Sequence, residues 1–495
     1  MMMRKNVFFF LLVVLTHFGA PKREAFAVVV QKWPLKLHSN SSVSLEAGEN
    51  NTIFFDSDVT TIHNKLTLYV DDDFDFSSEF ELAAKALDEL EVDVFDAEAS
   101  QPSPPPPSPP PPSPLPPPSP SPPPEVVLKT FAVACGSFYT CVILYDKSVK
   151  CWGSNINGQL GLGDTNNRGD ESGEMGENLP TVDLGTGHVA TAISAGGAHT
   201  CAILDDAFVK CWGFNINGQL GLGDSAYYQG TSGIIRGNRG DESGEMGNNL
   251  PAVDLGTGRK ATAISAGEAH TCAILDDKSV KCWGYNNYGQ LGLGDTNNRG
   301  AKSGEMGNNL PAVDLGTGRK ATAISAGDAH TCALLDDKSV KCWGYNNYGR
   351  LGLGDTNSRG DSSGEMGNNL PAVDLGTGRK ATAISAGGAY TCALLDDKSV
   401  KCWGYNGLGQ LGLGDSNDHG AKSGEMGDNL PAVDLGTGRV ATAISTCGAH
   451  TCAILDDTSV KCWGYNNNGQ LGLGHKNNRG RFSSQMGDNL PTVDI

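Results

Sequence analysis

Six pairs of cysteines recur along the chain, and nine residues separate the two members of every pair. Within a pair the cysteines lie at equal distances from a tight-turn sequence, as Cys272 and Cys282 do from Asp277. Such positions face each other across a β-hairpin, within the roughly 5.5 Å between Cα atoms that a disulfide bond requires. We therefore predict one disulfide in each hairpin: Cys141–Cys151, Cys201–Cys211, Cys272–Cys282, Cys332–Cys342, Cys392–Cys402 and Cys452–Cys462.

A histidine recurs just before the first cysteine of most pairs, as His199, His270, His330 and His450. Tyr139 and Tyr390 take the same position in the other two pairs. Copies in successive repeats cannot converge on one ion, as a zinc site requires, so we predict a structural hydrogen-bonding role. The tryptophan after each second cysteine is expected in the core. No nucleophile and base set or phosphate-binding loop is evident, so we predict no catalytic, metal or cofactor site and no enzyme activity.

The N-terminal quarter has the composition of a targeting segment followed by a linker. A basic start, an apolar run over residues 7–15 and the small-x-small sequence Ala25-Phe26-Ala27 predict a signal peptide over residues 1–27, with a buried strand as the other interpretation of the run. Residues 28–100 are acidic and form either a small domain or a disordered segment. Residues 101–124 are almost all proline and serine, which predicts a stiff polyproline spacer.

Charge and sequence motifs limit the classes of partner and the cellular location that we expect. A net charge of −19 argues against nucleic acid, which is held by clustered lysine and arginine. No later stretch reaches the roughly 18 apolar residues of a membrane helix, so we predict no membrane span. Asn40 and Asn50 begin acceptor triplets for N-glycosylation. The proline-rich spacer resembles those of algal and plant cell-wall glycoproteins, so we expect a secreted protein in the extracellular space or cell wall.

From about residue 125 to residue 495 the chain consists of six units with a period of about 60 residues. One unit contains four candidate strands, at 311–315, 321–325, 331–335 and 339–343, with Asp336-Asp337-Lys338 as the tight turn. Four short antiparallel strands per repeat are typical of a β-propeller blade. The sequence therefore predicts an all-β fold: a closed propeller of six four-stranded blades, with seven left open.

Each unit also carries a motif pair of the kind Ala266-Gly267-Glu268-Ala269-His270-Thr271 and Trp-Gly-x-Asn-x-x-Gly-Gln-Leu-Gly. This resembles the repeat of the regulator of chromosome condensation family, whose members form β-propellers, more often with seven blades. The resemblance implies a binding protein: the founding member exchanges nucleotide on a nuclear GTPase, and a bacterial relative, beta-lactamase inhibitor protein II, binds an enzyme. Guanine-nucleotide exchange stays a remote alternative, because an exported chain does not meet a nuclear GTPase.

Two cysteines fall outside the pair pattern, Cys135 in the first unit and Cys447 in the last. The middle units have alanine or glycine at both sites, and the first and last units are neighbours in a closed ring. We therefore predict a disulfide between Cys135 and Cys447 that locks the ring, with two unpaired thiols as the alternative. Segments 124–128 and 491–495 are copies of one strand, and we expect one of them to complete the other's blade at this seam.

Partner-binding residues are sought where one unit departs from the others. An insertion of about 11 residues in the second unit carries Tyr227, Tyr228, Ile234 and Ile235, residue types that supply interface energy. Tyr288 and Tyr348 are weaker candidates. We predict an extracellular scaffold that presents propeller loops to a protein or a glycan, with a structural component of the wall or matrix as the alternative. The oligomeric state is left open.

Overall fold

The computed structural model describes residues 12–15, 26–29, 45–46, 52–53, 130–225, 228–230, 233–235 and 237–494, with side chains over 132–225 and 237–494. The chain divides into two units, Met1–Pro120 and Ser121–Ile495. In the first unit β1 (Leu12–Leu15) pairs antiparallel with β2 (Phe26–Val29), and β3 (Leu45–Glu46) with β4 (Thr52–Ile53). The predicted linker, Asn40 and Asn50 lie outside the described residues. The signal peptide stays a prediction.

The second unit consists of six three-stranded antiparallel sheets, which we number as blades 1 to 6. Their strands are β5 (Thr130–Cys135), β6 (Tyr139–Leu144) and β7 (Val149–Gly153); β8 (Ala190–Ala195), β9 (His199–Leu204) and β10 (Val209–Gly213); β13 (Ala261–Ala266), β14 (His270–Leu275) and β15 (Val280–Gly284); β16 (Ala321–Ala326), β17 (His330–Leu335) and β18 (Val340–Gly344); β19 (Ala381–Ala386), β20 (Tyr390–Leu395) and β21 (Val400–Gly404); and β22 (Ala441–Thr446), β23 (His450–Leu455) and β24 (Val460–Gly464). In blades 2 to 6 the first strand packs against the second strand of the blade before it, as β13 does on β9. The predicted all-β propeller of six blades is confirmed.

The connections are short turns and loops. β11 (Tyr228–Gly230) and β12 (Gly233–Ile235) form a hairpin in the insertion between blades 2 and 3. Short 3-10 helices occupy the long loops, at Gly176–Asn178, Gly247–Asn249, Gly307–Asn309, Gly367–Asn369, Gly427–Asn429, Ser483–Gln485 and Gly487–Asn489. Within the described part of the chain, no helix has the length and apolar character needed to cross a membrane.

The predicted fourth strand of each blade is corrected in two ways. The Val313 N–H donates to the carbonyl oxygen of Val280 (2.8 Å), so segment 311–315 lies on the hairpin that precedes it in the sequence, not on the one that follows. The segment also forms no regular strand, and its first residue, Pro311, has no N–H to donate to a ladder. The C-terminal copy behaves alike, since Val493 donates to Val460 (2.8 Å). The expected strand exchange at the seam is therefore wrong for this copy, and residues 124–128 lie outside the described part.

The second and third strands of every blade place the paired cysteines directly opposite each other, as Cys272 is opposite Cys282. The structure contains six disulfides, one in each hairpin: Cys141–Cys151, Cys201–Cys211, Cys272–Cys282, Cys332–Cys342, Cys392–Cys402 and Cys452–Cys462. The pattern follows from the hairpin register, because a turn centred between two cysteines fixes which residues face each other.

A tryptophan joins each of blades 2 to 6 to the blade before it. In blade 4 the Trp343 indole N–H donates to the carbonyl oxygen of Gln290 in blade 3 (3.0 Å), and the side chain is fully buried. Gly292 makes this possible: its φ is +69°, and a Cβ there would lie 2.7 Å from Trp343 Nε1. The tryptophans therefore act as wedges between neighbouring blades, as expected.

A buried lysine fastens the outer segment of the preceding blade to the long loop that follows the lysine's own blade. The Lys341 Nζ donates to the carbonyl oxygens of Leu315 (3.0 Å) and Gly367 (2.7 Å), and burial lowers the pKa of the ammonium. The same two bonds recur in blades 2, 3, 5 and 6. In blade 1, Lys150 is more exposed and donates to Gly176 (2.7 Å).

Candidate partner-binding face

The loops between the first and second strands of the six blades surround an opening at one end of the propeller. This axial mouth has a volume of about 190 Å³ and is lined by residues from all six blades. Glycine and serine dominate the lining, but blades 3 and 4 contribute Glu268 and Asp328 at a position that is serine or glycine elsewhere. The mouth is therefore acidic on one side.

Asp328 faces the mouth and is partly accessible to water, yet protein surrounds it on several sides. This crowding desolvates the carboxylate and raises the pKa of Asp328 to about 6, with a smaller contribution from the charge of Glu268. The positive charge of Arg350 acts in the opposite direction. Glu268 accepts a hydrogen bond from the Ser137 hydroxyl (2.9 Å), so blades 1 and 3 are linked across the opening.

Arg350 lies beside the mouth at a position that is glutamine in the other five blades. Its side chain is only 4% exposed. The guanidinium donates to Asn347 Oδ1 (2.7 Å) and to the carbonyl oxygen of Gly388 (3.4 Å), while its Nε–H has no hydrogen-bond partner among the described residues. It also lies over the rings of Tyr345 and Tyr348, at 5.0 and 5.6 Å from their centroids, which are cation–π distances.

Five tyrosines follow one another across the loops of blades 3, 4 and 5, and we call this series the tyrosine ladder. Its members are Tyr285, Tyr288, Tyr345, Tyr348 and Tyr405. Ring centroids are 6.2 Å apart for Tyr285 and Tyr288, 4.3 Å for Tyr288 and Tyr345, and 5.0 Å for Tyr348 and Tyr405. Tyr288 and Tyr348 remain 38% and 37% exposed, so the ladder offers an aromatic surface to the outside.

Blades 1 and 2 extend this surface with aliphatic and aromatic side chains. Phe138 is 81% exposed on the loop beside the mouth, and Ile156 and Ile216 project from loops equivalent to the ladder loops. We call the axial mouth, the tyrosine ladder, Arg350 and these three residues the axial face. An exposed apolar and aromatic surface around a few polar groups is typical of a site for another molecule.

One cluster in the described residues has the ligand types of a metal site: His188, Asp205 and Asp206. The histidine Nδ1 lies 3.2 Å from Asp205. In blade 3 the same position is Arg259, whose guanidinium lies 2.8 Å from a carboxylate oxygen of Asp277. The cluster therefore has the geometry of a repeated surface ion pair with histidine in place of arginine.

The profile of the Regulator of chromosome condensation (RCC1) repeat matches residues 132–159, 190–219, 261–290, 321–350, 381–410 and 442–470. A second profile of the same repeat matches residues 148–203, 279–334 and 339–394. Together the matches cover more than half of the chain. The chain belongs to the regulator of chromosome condensation repeat family. The predicted resemblance is confirmed.

Curated relatives share the repeats but differ in length. Ultraviolet-B receptor UVR8 of Arabidopsis thaliana is 28% identical over 349 residues, which are 70% of this chain and 68% of the receptor. E3 ubiquitin-protein ligase HERC2 of Homo sapiens is 28% identical over 337 residues, 67% of this chain but 6% of the ligase. The similarity to the ligase thus concerns a small part of that protein.

Solved structures agree on the fold. Human WBSCR16 superposes with a TM-score of 0.52 at 18% identity, covering 75% of this chain and 84% of that one. Yeast RCC1 (Prp20), in its complex with Kap60, superposes with a TM-score of 0.51 at 18% identity, covering 74% of each chain. At this identity the likeness shows the propeller architecture alone.

The structure distributes the predicted partner-binding residues over two places. Tyr288 and Tyr348 belong to the axial face. Tyr228 and Ile235 pair in the β11–β12 hairpin, and Ile234 lies next to them in β12, but their side chains lie outside the described part. Tyr227 lies outside it altogether.

His199, His270 and His330 have the structural role that their repetition predicts. His199 Nε2 lies 2.8 Å from Thr271 Oγ1 of the next blade, and His270 Nε2 lies 2.8 Å from Thr331 Oγ1. In blade 1 the Tyr139 hydroxyl takes over by donating to the carbonyl oxygen of His199 (2.5 Å). These side chains connect blades and are fully or almost fully buried.

Sequence reasoning missed Arg350, Asp328, Glu268 and Phe138. The available indication was the departure of each from its repeat: arginine for glutamine, acids for glycine, and phenylalanine for alanine. Cys135 and Cys447 are thiols in this structure and both line the axial mouth, so the disulfide between them stays a prediction.

Proposed function

We propose that this protein is an exported binding scaffold whose axial face holds a protein partner. The observation that carries the proposal is the tyrosine ladder with Arg350 packed against two of its rings. Tyrosine and arginine are enriched among the residues that dominate the energy of protein interfaces. Tyrosine supplies a large rigid contact area at low entropic cost, with a hydroxyl at its edge.

Arg350 gives the face a specific chemical preference. A buried N–H without a partner costs free energy, and a carbonyl or carboxylate oxygen that a partner inserts by displacing the neighbouring tyrosine rings would satisfy it. The guanidinium is already held by Asn347, Gly388 and the tyrosine rings that it packs against, so little side-chain entropy is lost on binding. A protein loop that inserts an acceptor between aromatic side chains fits this arrangement.

Export is the second part of the proposal. Disulfides persist in oxidising compartments, and the propeller contains six of them. The predicted signal peptide and the proline-rich linker support the same location. Expression of the full chain in a secreting cell, followed by N-terminal sequencing of protein from the medium, tests this. A mature N-terminus at Val28 is expected, and retention in the cytosol with residues 1–27 intact would contradict it.

The partner is tested by pull-down from secreted material with the wild-type protein, the Tyr288→Ala/Tyr348→Ala variant and the control Phe482→Ala. Phe482 is 60% exposed and does not belong to the axial face. The wild type and the control should retain the same protein, and the double variant should bind it about ten-fold more weakly or worse. Equal capture by all three proteins would refute the axial face as the site.

Two further arms separate the alternatives. Protease treatment of the secreted material abolishes capture of a protein partner, whereas capture that survives protease but not periodate indicates a glycan. Deletion of residues 226–236 removes the β11–β12 hairpin, so loss of binding in this variant alone would move the site to the insertion. A wall component would instead remain with the insoluble wall whatever the state of the axial face.

A further inference from the structure

Twelve of the fourteen cysteines are paired within hairpins, and the remaining two come from opposite ends of the propeller sequence. Cys135 ends β5 in blade 1, and Cys447 follows β22 in blade 6. Both line the axial mouth. About 310 residues separate them along the chain, yet the fold brings both to the same opening at the axis.

The boundary between blades 6 and 1 lacks the wedge that secures the others. Each tryptophan of blades 2 to 6 donates to a carbonyl oxygen of the preceding blade, whereas Trp152 of blade 1 has no such acceptor among the described residues. Gly158, in the loop of blade 1, approaches Asp241 closely, but its equivalent Gly469 in blade 6 has no described neighbour within 4 Å.

The side chains facing this boundary are correspondingly exposed. Ile454 of blade 6 is 44% exposed. Its equivalents in the other blades are buried: Ile143 is 0% exposed and Ile274 is 1% exposed. The burial and hydrogen bonds that join neighbouring blades elsewhere are therefore weaker here. A covalent bond at the axis is the device that the chain offers in their place.

We propose that Cys135 and Cys447 form a disulfide that clasps blade 1 to blade 6 and closes the propeller. The twelve hairpin cysteines are already paired locally, so these two have no competing partner within their own blades. The geometry favours this pairing over intermolecular bonds, because both thiols line the same axial mouth.

The reaction balances as a thiol–disulfide exchange with a disulfide oxidant, such as oxidised glutathione. The Cys135 thiolate attacks one sulfur of the oxidant and releases one thiolate; Cys447 then loses its proton and attacks the Cys135 sulfur, releasing the second. The pair loses two electrons and two protons, and the oxidant becomes two thiols. The hydrogen bond from Cys447 lowers the pKa of the Cys135 thiol to about 7, and Cys135 is the exposed member, so it makes the first attack.

The clasp is tested on the full chain in a glutathione buffer by non-reducing peptide mapping after alkylation. A cross-linked peptide containing residues 135 and 447 is expected, and mild reductant should open it before the buried hairpin disulfides. Alkylation of both thiols under oxidising conditions, or their pairing between molecules, would overturn the proposal.

Thermal unfolding gives a second readout. Opening a loop of about 310 residues should lower the Tm by about 5 to 8 °C. The Cys135→Ala/Cys447→Gly variant, which carries the residues found at these sites in middle blades, should unfold at the Tm of the clasp-reduced wild type and show no response to mild reductant. Peptide mapping of its six hairpin disulfides confirms that it folds. An unchanged Tm in the wild type on mild reduction would equally refute the clasp.

Discussion

His330 lies fully buried between blades 4 and 5, and replacing it by tyrosine is expected to make the propeller more resistant to acid. Its Nε2 lies 2.9 Å from Thr391 Oγ1, whose own proton goes to the carbonyl oxygen of Arg350 (3.0 Å). Nε2 therefore donates, and the buried Nδ1 has no partner among the described residues. Protonation would place an unpaired N–H and a charge in the core. The fold already accepts tyrosine at this position in Tyr139 and Tyr390.

The direction and size of the change in stability with pH follow from the pKa values of the buried histidines. Burial lowers the pKa of His199 to about 3, that of His270 to about 4, and that of His330 well below the usual value. In the unfolded chain these groups titrate near 6.5, so below that pH the unfolded state binds protons that the folded state refuses. The free energy of unfolding is therefore highest above about pH 7 and decreases as the pH falls. At pH 5 each buried histidine lowers it by about 2 kcal/mol.

One carboxyl group acts in the opposite direction. The pKa of Asp328 is raised to about 6, so the folded state binds its proton before the unfolded state does and gains stability as the pH falls from about 6 to 4. The total pH dependence is therefore smaller than three histidines alone would give. Comparing the wild type with His330→Tyr isolates one histidine, because Asp328 is present in both proteins.

Urea unfolding at pH 7.5 and pH 5.0, followed by tryptophan fluorescence, measures the effect. The wild type should lose about 2 kcal/mol more than His330→Tyr between the two pH values. His450→Tyr is the matched control, because His450 is only partly buried at the blade 6 boundary. Its replacement should reduce the loss of stability between the two pH values by less than His330→Tyr does. Equal losses in the wild type and His330→Tyr would refute the reasoning.

Two other substitutions probe the repeated contacts, each against a control from the same chain. Lys341→Met removes two buried charged hydrogen bonds and should lower the free energy of unfolding by about 2 to 4 kcal/mol. Lys150→Met removes a single hydrogen bond that is more exposed, and should lower the free energy of unfolding by under about 1 kcal/mol in the same urea titration. Gly292→Ala drives a methyl group against Trp343 and should cost about 1 to 3 kcal/mol more than Gly318→Ala, which has a similar φ but no neighbour within 4 Å. Equal effects within either pair would contradict the assigned contacts.

The blade architecture was predictable because its determinants are local. Alternating apolar residues, a tight turn and cysteines centred on it all lie within one hairpin, so Cys332 and Cys342 could be paired from spacing alone. The outer segment 311–315 was placed on the wrong hairpin for a related reason. A period fixes the order of strands along the chain, but it does not say whether a segment packs on the hairpin before it or after it.

The axial face was largely beyond reach because it forms between repeats. The ring pair of Tyr288 and Tyr345 and the contact of Arg350 with Gly388 join loops from different blades, and spacing does not reveal how far one blade is rotated from the next. Two of its tyrosines were found only because they departed from the repeat. Such departures are therefore the informative signal, and Arg350 is the departure with the largest local consequence.

Arg350 removes a hydrogen bond that the repeat supplies elsewhere. In blade 3 the Gln290 side chain accepts from the Tyr288 backbone N–H (3.0 Å), and glutamines make the same bond in blades 1, 2, 5 and 6. A guanidinium has no acceptor and cannot replace it. Blade 4 thus gives up a loop-stabilising bond and buries a charge with one N–H unsatisfied, in exchange for contacts with Asn347 and two tyrosines. A local loss of stability within an otherwise regular repeat is expected where binding, rather than folding, determines the residue.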